Sequence, residues 1–211
     1  MRALRVLAVL AVLAGLAGCR SSTVAGTGDR AEPAQLEFRK VLTTEPAEAS
    51  PRPAPSGSPG ATAGPTTRQD PAFADPAAAR AALDALDCAA ADSLRAKVDP
   101  ALPLVTCDPA LPEKYVLAPA FLSGADVVRA GAELGPNSSG WTIAVTFSDA
   151  ASRTWADFTT QNVGAKVAIV LDGRVVSAPT IEEPILAGTV IISGRFTKEE
   201  AERLAGQLNS R

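Results

Sequence analysis

The sequence predicts an α+β fold: a mainly antiparallel sheet with helices packed on one face, preceded by a disordered Pro/Ala-rich linker. Three observations carry that expectation. Asp172-Gly173 lies between the aliphatic runs Ala168-Ile169-Val170-Leu171 and Val175-Val176, and Asp-Gly tolerates the positive φ angles of a type I′ turn, so a tight hairpin is expected. Trp141 to Phe147 alternates strictly and places Trp141, Ile143, Val145 and Phe147 on one face of a strand. Between and after these strands come capped stretches with apolar residues at helical spacing, so strands and helices interleave.

Composition narrows the function before any motif does. Of 211 residues, 23 are acidic and 20 basic, and aromatics make up 4%, so no basic stripe points to nucleic acid. Histidine is absent, which removes the commonest general base and the commonest zinc ligand together and argues against an enzyme. No cofactor is implied.

Residues 1–18 carry Arg2 and Arg5 and then an apolar run of about a dozen residues, short of the roughly 20 that cross a bilayer as a helix. The run closes on Leu16-Ala17-Gly18-Cys19, which resembles a bacterial lipobox, so residues 1–18 are expected to be cleaved and Cys19 to be acylated. The competing reading is an ordinary secretory signal with a chance cysteine. Residues 19–35 form a small, polar tether. Residues 36–42 alternate, with Leu36, Phe38 and Lys40 on one side and Glu37, Arg39 and Val41 on the other, which predicts a single isolated strand. Residues 43–75 are rich in Pro, Ala, Ser, Thr and Gly and are expected to be a flexible linker, because they hold too little apolar surface to offset the entropy of ordering.

The main domain is expected over 76–211. Asp75-Pro76 is a helix start, followed by Leu83, Leu86, Ala90 and Leu94 at helical spacing. Cys88 and Cys107 are an even pair once Cys19 carries lipid, and in an exported chain they are expected to be disulfide-bonded, stabilising the domain by roughly 3 kcal/mol; two buried free thiols are the alternative. Tyr115 to Phe121 is extended, Ser123 with Asp126 caps a short helix or turn, and Val127 and Val128 are expected to face inward. After the 141–147 strand, Ser148 or Asp149 caps a helix marked by Ala151, Trp155 and Phe158, which Gly164 ends. Thr189 to Ser193 is a further strand between Gly188 and Gly194. Thr197 with Glu200 is a capping box that opens a last helix with Ala201, Leu204, Ala205 and Leu208 toward the core.

The order of Tyr115-Val116-Leu117, Gly124, Trp141 to Phe147, Ala168 to Pro179, Gly188 and Gly194-Arg195-Phe196-Thr197 resembles the head subdomain of SecD. Leu36 to Leu42 and the Cys88 and Cys107 region are similar more weakly. SecD is a membrane-spanning subunit of the SecDF complex, which assists export through the Sec translocon using the proton gradient. The resemblance therefore implies an extracytoplasmic location and partners among exported polypeptides or SecDF and translocon components. It gives Leu171, Asp172, Gly173, Ser177, Ala178 and Pro179 the role of a structural hairpin. A proton-driven motor needs ionisable groups within the membrane, which a lipid anchor does not supply, so contact and not transport is expected.

Chemistry elsewhere is thin. Asp172, Glu182 and Glu183 would be a carboxylate set for a divalent ion, but the turn explains Asp172 and a solvated loop explains the glutamates, so no metal site is expected. Ser177 has no histidine to activate it, and Lys166 is a remote base. Trp141, Phe147, Trp155 and Phe158 line either a groove or, as their spacing suggests, the core. The expectation is a non-catalytic binding or accessory module on the extracytoplasmic face of the cell membrane, linked to protein export. The alternative is an envelope lipoprotein that reuses the fold for ligand binding or a structural role.

Overall fold

The computed structural model describes residues 34–47, 68–88, 97–108, 111, 113–135 and 140–210. The expected signal at 1–18, Cys19, nearly all of the tether, linker residues 48–67, and Ala90 and Leu94 lie outside these residues.

Eight strands and three α-helices are described: β1 (Leu36–Pro46), α1 (Pro76–Ala85), β2 (Leu104–Asp108), β3 (Glu113–Ser123), β4 (Val127–Leu134), β5 (Trp141–Phe147), α2 (Asp149–Gln161), β6 (Val167–Leu171), β7 (Arg174–Ser177), β8 (Thr189–Phe196) and α3 (Lys198–Asn209). They build two antiparallel sheets, a larger one in the order β2-β3-β1-β6-β7 and a smaller one in the order β4-β5-β8. The α+β class is therefore as expected, with its strands divided between two sheets.

The helices start where the sequence caps them. Asp75 accepts from the amides of Ala77 and Ala78 at 2.9 and 3.0 Å and Pro76 opens α1. Ser148 caps α2, and Thr197 and Glu200 form a reciprocal capping box on α3. The Asp172-Gly173 turn has φ of 48° and 77° at its two central residues, the signature of type I′.

The largest correction concerns residues 36–42. They are not an isolated strand: β1 runs to Pro46 and sits in the middle of the larger sheet, paired with β3 on one side and β6 on the other. Glu37 and Arg39, on the side opposite Leu36 and Phe38, are both fully buried and neutralise each other. The linker is also shorter than expected. Residues 43–46 belong to β1, Gln69 bridges to Leu104, and Asp70 caps a 3-10 turn at Pro71–Ala74 that buries Phe73. At the other end, α1 stops at Ala85, because Leu86 leaves helical backbone as its C-cap. Val128 is 63% exposed and not inward, since β4 is bulged at that point.

Three apolar clusters hold the molecule. One side of the larger sheet carries Leu36, Phe38, Val167 and Ile169, which pack with α2, α3 and the inner face of the smaller sheet. On that same side, α1 covers Val105, Cys107 and Val116 of β2 and β3. The opposite side curls on itself around Leu104, Tyr115, Leu117, Val170 and Val175. Its two edge strands approach, and the Thr106 hydroxyl donates to the Gly173 carbonyl at 2.7 Å.

Candidate functional site

Strand edges carry backbone groups that seek partners, and the β4 and β2 edges are covered here. At β4, the Asn209 side chain accepts from the Ala130 amide and donates to the Ala130 carbonyl, both at 2.8 Å, as a neighbouring strand would. At β2, residues 68 and 69 close the edge, with the Val105 amide donating to Arg68 O at 2.8 Å. In the turn ahead of β7, the carbonyl of Gly173 accepts from Arg68 Nη1 and from Thr106. Burial lowers the pKa of Arg68. The β8 edge is different. Among the described residues it forms a ladder with β5 alone, and β7 packs beside part of it.

Along that edge runs an apolar cleft of about 230 Å³, lined by Trp155, Val167, Ile169, Pro179, Thr180, Ile181, Ile185, Thr189, Val190 and Ile191. Three consecutive β8 residues line it. Side chains alternate along a strand, so such a run means that the cleft follows the edge and not one face. The Phe147 amide donates to Gly188 O at 2.8 Å. With Thr146 opposite Thr189, antiparallel alternation then turns the backbone groups of Val190 and Ile192 toward β5 and those of Thr189, Ile191 and Ser193 outward. Leu186, beside the cleft-lining Ile185, is 74% exposed, and Ile191 is 47% exposed.

The hairpin at 168–179 acquires a purpose in this geometry. Beyond β7 the chain runs on through Ser177-Ala178-Pro179 in the same direction and pairs with residues 164–167, with Val167 N donating to Pro179 O at 3.0 Å and Ile181 N to Ala165 O at 2.9 Å. Pro179, Thr180 and Ile181 thereby form one wall of the cleft. Asp172 anchors the turn at the other end: its Oδ1 accepts from Gln35 N at 2.8 Å and its own amide donates to Gln35 O at 2.9 Å. Gly188 lets β8 begin close to α2, since a Cβ there would lie 2.5 Å from Ser152 Oγ.

Behind the cleft, the frame is held by a buried polar network that charge alternation concealed. Arg39 Nε donates to Glu37 Oε2 at 2.7 Å, and the guanidinium also donates to the carbonyls of Leu102, Ala118 and Asp99 at 2.6, 3.0 and 2.9 Å. Gln35 donates to Glu37 and brackets Val98 through both its amide and carbonyl. Burial raises the pKa of Glu37, and the Arg39 hydrogen bond and charge oppose that rise. Tyr115 is likewise pushed well up, by burial and by donating to Glu113 at 2.5 Å.

The remaining sequence candidates fall into place. Cys88 and Cys107 are disulfide-bonded with Cα atoms 5.9 Å apart, tying the segment after α1 to β2. Cys19 lies outside the described residues. Among the described residues no group of three Cys, Asp or Glu side chains is placed to hold a metal. Ser177 stands opposite Ile169 and Lys166 opposite Thr180; the two strand partners are three positions apart, about 10 Å along the ladder. Phe38, Phe147 and Trp155 pack as core, with ring centroids 5.1 to 5.8 Å apart, and Phe121 stacks on Phe158 at 3.8 Å.

Comparison with known proteins agrees with this architecture. The SecD subunit of the protein translocase from Mycobacterium tuberculosis (strain H37Rv) is 37% identical over 129 residues, which is 60% of this chain and 22% of that protein. The SecD subunit from Dictyoglomus turgidum is 57% identical over 54 residues, 26% of this chain and 14% of that protein. For the Streptomyces coelicolor subunit the values are 37% over 103 residues, 46% and 18%. The matched stretch thus spans about a fifth of these relatives' length. The family model for the SecDF P1 head subdomain matches residues 104–211, the stretch that holds β2 to β8, both long helices and every residue of the cleft. By that match, the chain belongs to the SecDF P1 head subdomain family.

Proposed function

We propose that the chain is a membrane-anchored extracytoplasmic lipoprotein whose head domain is a non-catalytic binding module that assists protein export. The open β8 edge, bordered by an apolar cleft, is the observation that carries this reading. An edge of this kind binds by backbone hydrogen bonds, which tolerate many sequences, as an accessory factor for diverse exported chains requires. Its partners are exported polypeptides and components of SecDF or the translocon. The lipobox-like Leu16-Ala17-Gly18-Cys19 supports anchoring through Cys19, and among the described residues no helix is long and apolar enough to cross a membrane.

A photo-crosslinker at Leu186 tests this in cells. Recovery of exported chains or translocon subunits supports the proposal, and recovery of neither defeats it. Replacing Cys19 by alanine should release the protein from membranes; an unchanged location would remove the anchor from the account.

A second reading, an envelope lipoprotein that binds a ligand unrelated to export, has one observation in its favour. A groove of about 460 Å³ lies between β1 and α1, lined by Leu42, Phe73, Ala79, Leu83 and Val116 and bridged by the Glu45–Arg80 ion pair, and most of its wall lies outside the residues matched by the family. Native mass spectrometry of protein extracted from membranes would favour this reading if a discrete small molecule stays bound.

A further inference from the structure

The geometry points to a rule for what the β8 edge accepts: an extended segment held by one uncharged aliphatic side chain, which enters the cleft at the position opposite Val190. This rests on the reading of β8 as the binding edge and adds register and side-chain preference to it. A strand added to β8 exchanges hydrogen bonds with Thr189, Ile191 and Ser193, whose backbone groups point outward. The incoming residues opposite those three share their face, the outer side of the sheet. The incoming residue opposite Val190 shares the inner face and is directed between Val167, Ile169, Ile181 and Ile185.

Size and polarity then select the occupant. About 230 Å³ is roughly eight waters' share of liquid volume, room for a branched aliphatic side chain with its adjoining backbone and too little for a folded element. No titratable side chain lines the cleft, so a charge placed there would be desolvated without a partner. The flanking positions meet Thr189, Ile191 and Ser193 at the sheet surface and stay open to water, so they tolerate polar residues. The rule is therefore an extended stretch with one obligatory apolar residue and loose requirements on either side, which suits an unfolded chain and excludes a folded one.

Titration of the full-length protein with short synthetic peptides tests this. With Trp141 replaced by phenylalanine, Trp155 in the cleft is the sole tryptophan and its fluorescence reports occupancy. A peptide with a central isoleucine should bind, and the same peptide with a central aspartate should bind about a hundredfold more weakly or not at all. Ile191→Pro deletes an outward amide without breaking the β5 ladder and should abolish binding. Thr180→Glu, at an exposed wall position, should weaken the isoleucine peptide while leaving the fold unchanged by circular dichroism. If both peptides bind alike, or binding survives Ile191→Pro and Thr180→Glu, the register is wrong although the protein still binds extended chains. If no peptide binds the parent protein, the register and the reading of β8 as a binding edge both fall.

Discussion

Replacing Arg39 by alanine removes the one fully buried cation among the described residues and leaves Glu37, also fully buried, without its ion-pair partner. Breaking a buried pair from one side costs about 3–5 kcal/mol, well above the roughly 0–1 kcal/mol of an exposed pair. The loss should be of that size because the carbonyls of Leu102, Ala118 and Asp99 lose their donor in the same step. Urea unfolding followed by circular dichroism measures it, with Glu37→Gln added to the Arg39→Ala background as the control. Glutamine abolishes the stranded charge, so the double variant should recover part of the loss. Acidity should act in the same direction. Burial already raises the folded-state pKa of Glu37 above its unfolded value, and without Arg39 the opposing influence is gone. A carboxyl raised on folding contributes stability that is fully present below the unfolded pKa and is lost as pH rises through the folded pKa. The variant should therefore lie closer to the parent near pH 4.5 than at pH 7. A loss under about 1 kcal/mol at pH 7, or no recovery from Glu37→Gln, would refute the buried-network argument.

Three further outcomes follow from named contacts. Cys107→Ser should lower stability by roughly 3 kcal/mol for a loop of this length, and a reductant should destabilise the parent in urea while leaving the variant unaffected. Gly173→Ala places a side chain at φ 77° and should cost about 1–2 kcal/mol in the same assay. Asn209→Ala uncovers the β4 edge, so hydrogen exchange by NMR should speed up at the Ala130 amide while Gly131, which faces the β5 ladder, keeps its rate.

Local chemistry was legible in the sequence wherever a few neighbouring residues decide the outcome. Asp172-Gly173 specified its turn, Asp75-Pro76 and Thr197 with Glu200 specified helix starts, and alternation specified β5. Pairing was not legible, because it joins distant segments. β1 is held between β3 and β6, and Phe38 lies opposite both Leu122 and Ile169; nothing near residue 38 announces either partner. β2 is too short and mixed to stand out beside Cys107, and β4, with Arg129, Gly131 and Glu133 on its outer face, offers little contrast. The candidate site was hidden for the same reason. Pro179 was visible as the end of the hairpin motif, but its part in the cleft wall depends on β8 and α2 arriving from elsewhere in the chain.

The central claim is that β8 is an open edge that receives extended chains, and amide hydrogen exchange with and without a bound unfolded secretory protein tests it most directly. In the free protein the outward amides of Thr189, Ile191 and Ser193 should exchange faster than those of Val190 and Ile192, which serve the β5 ladder. Binding should slow the three outward amides and leave the other two nearly unchanged. Protection that appears on another surface, with the outward amides of β8 still exchanging freely, would contradict the account.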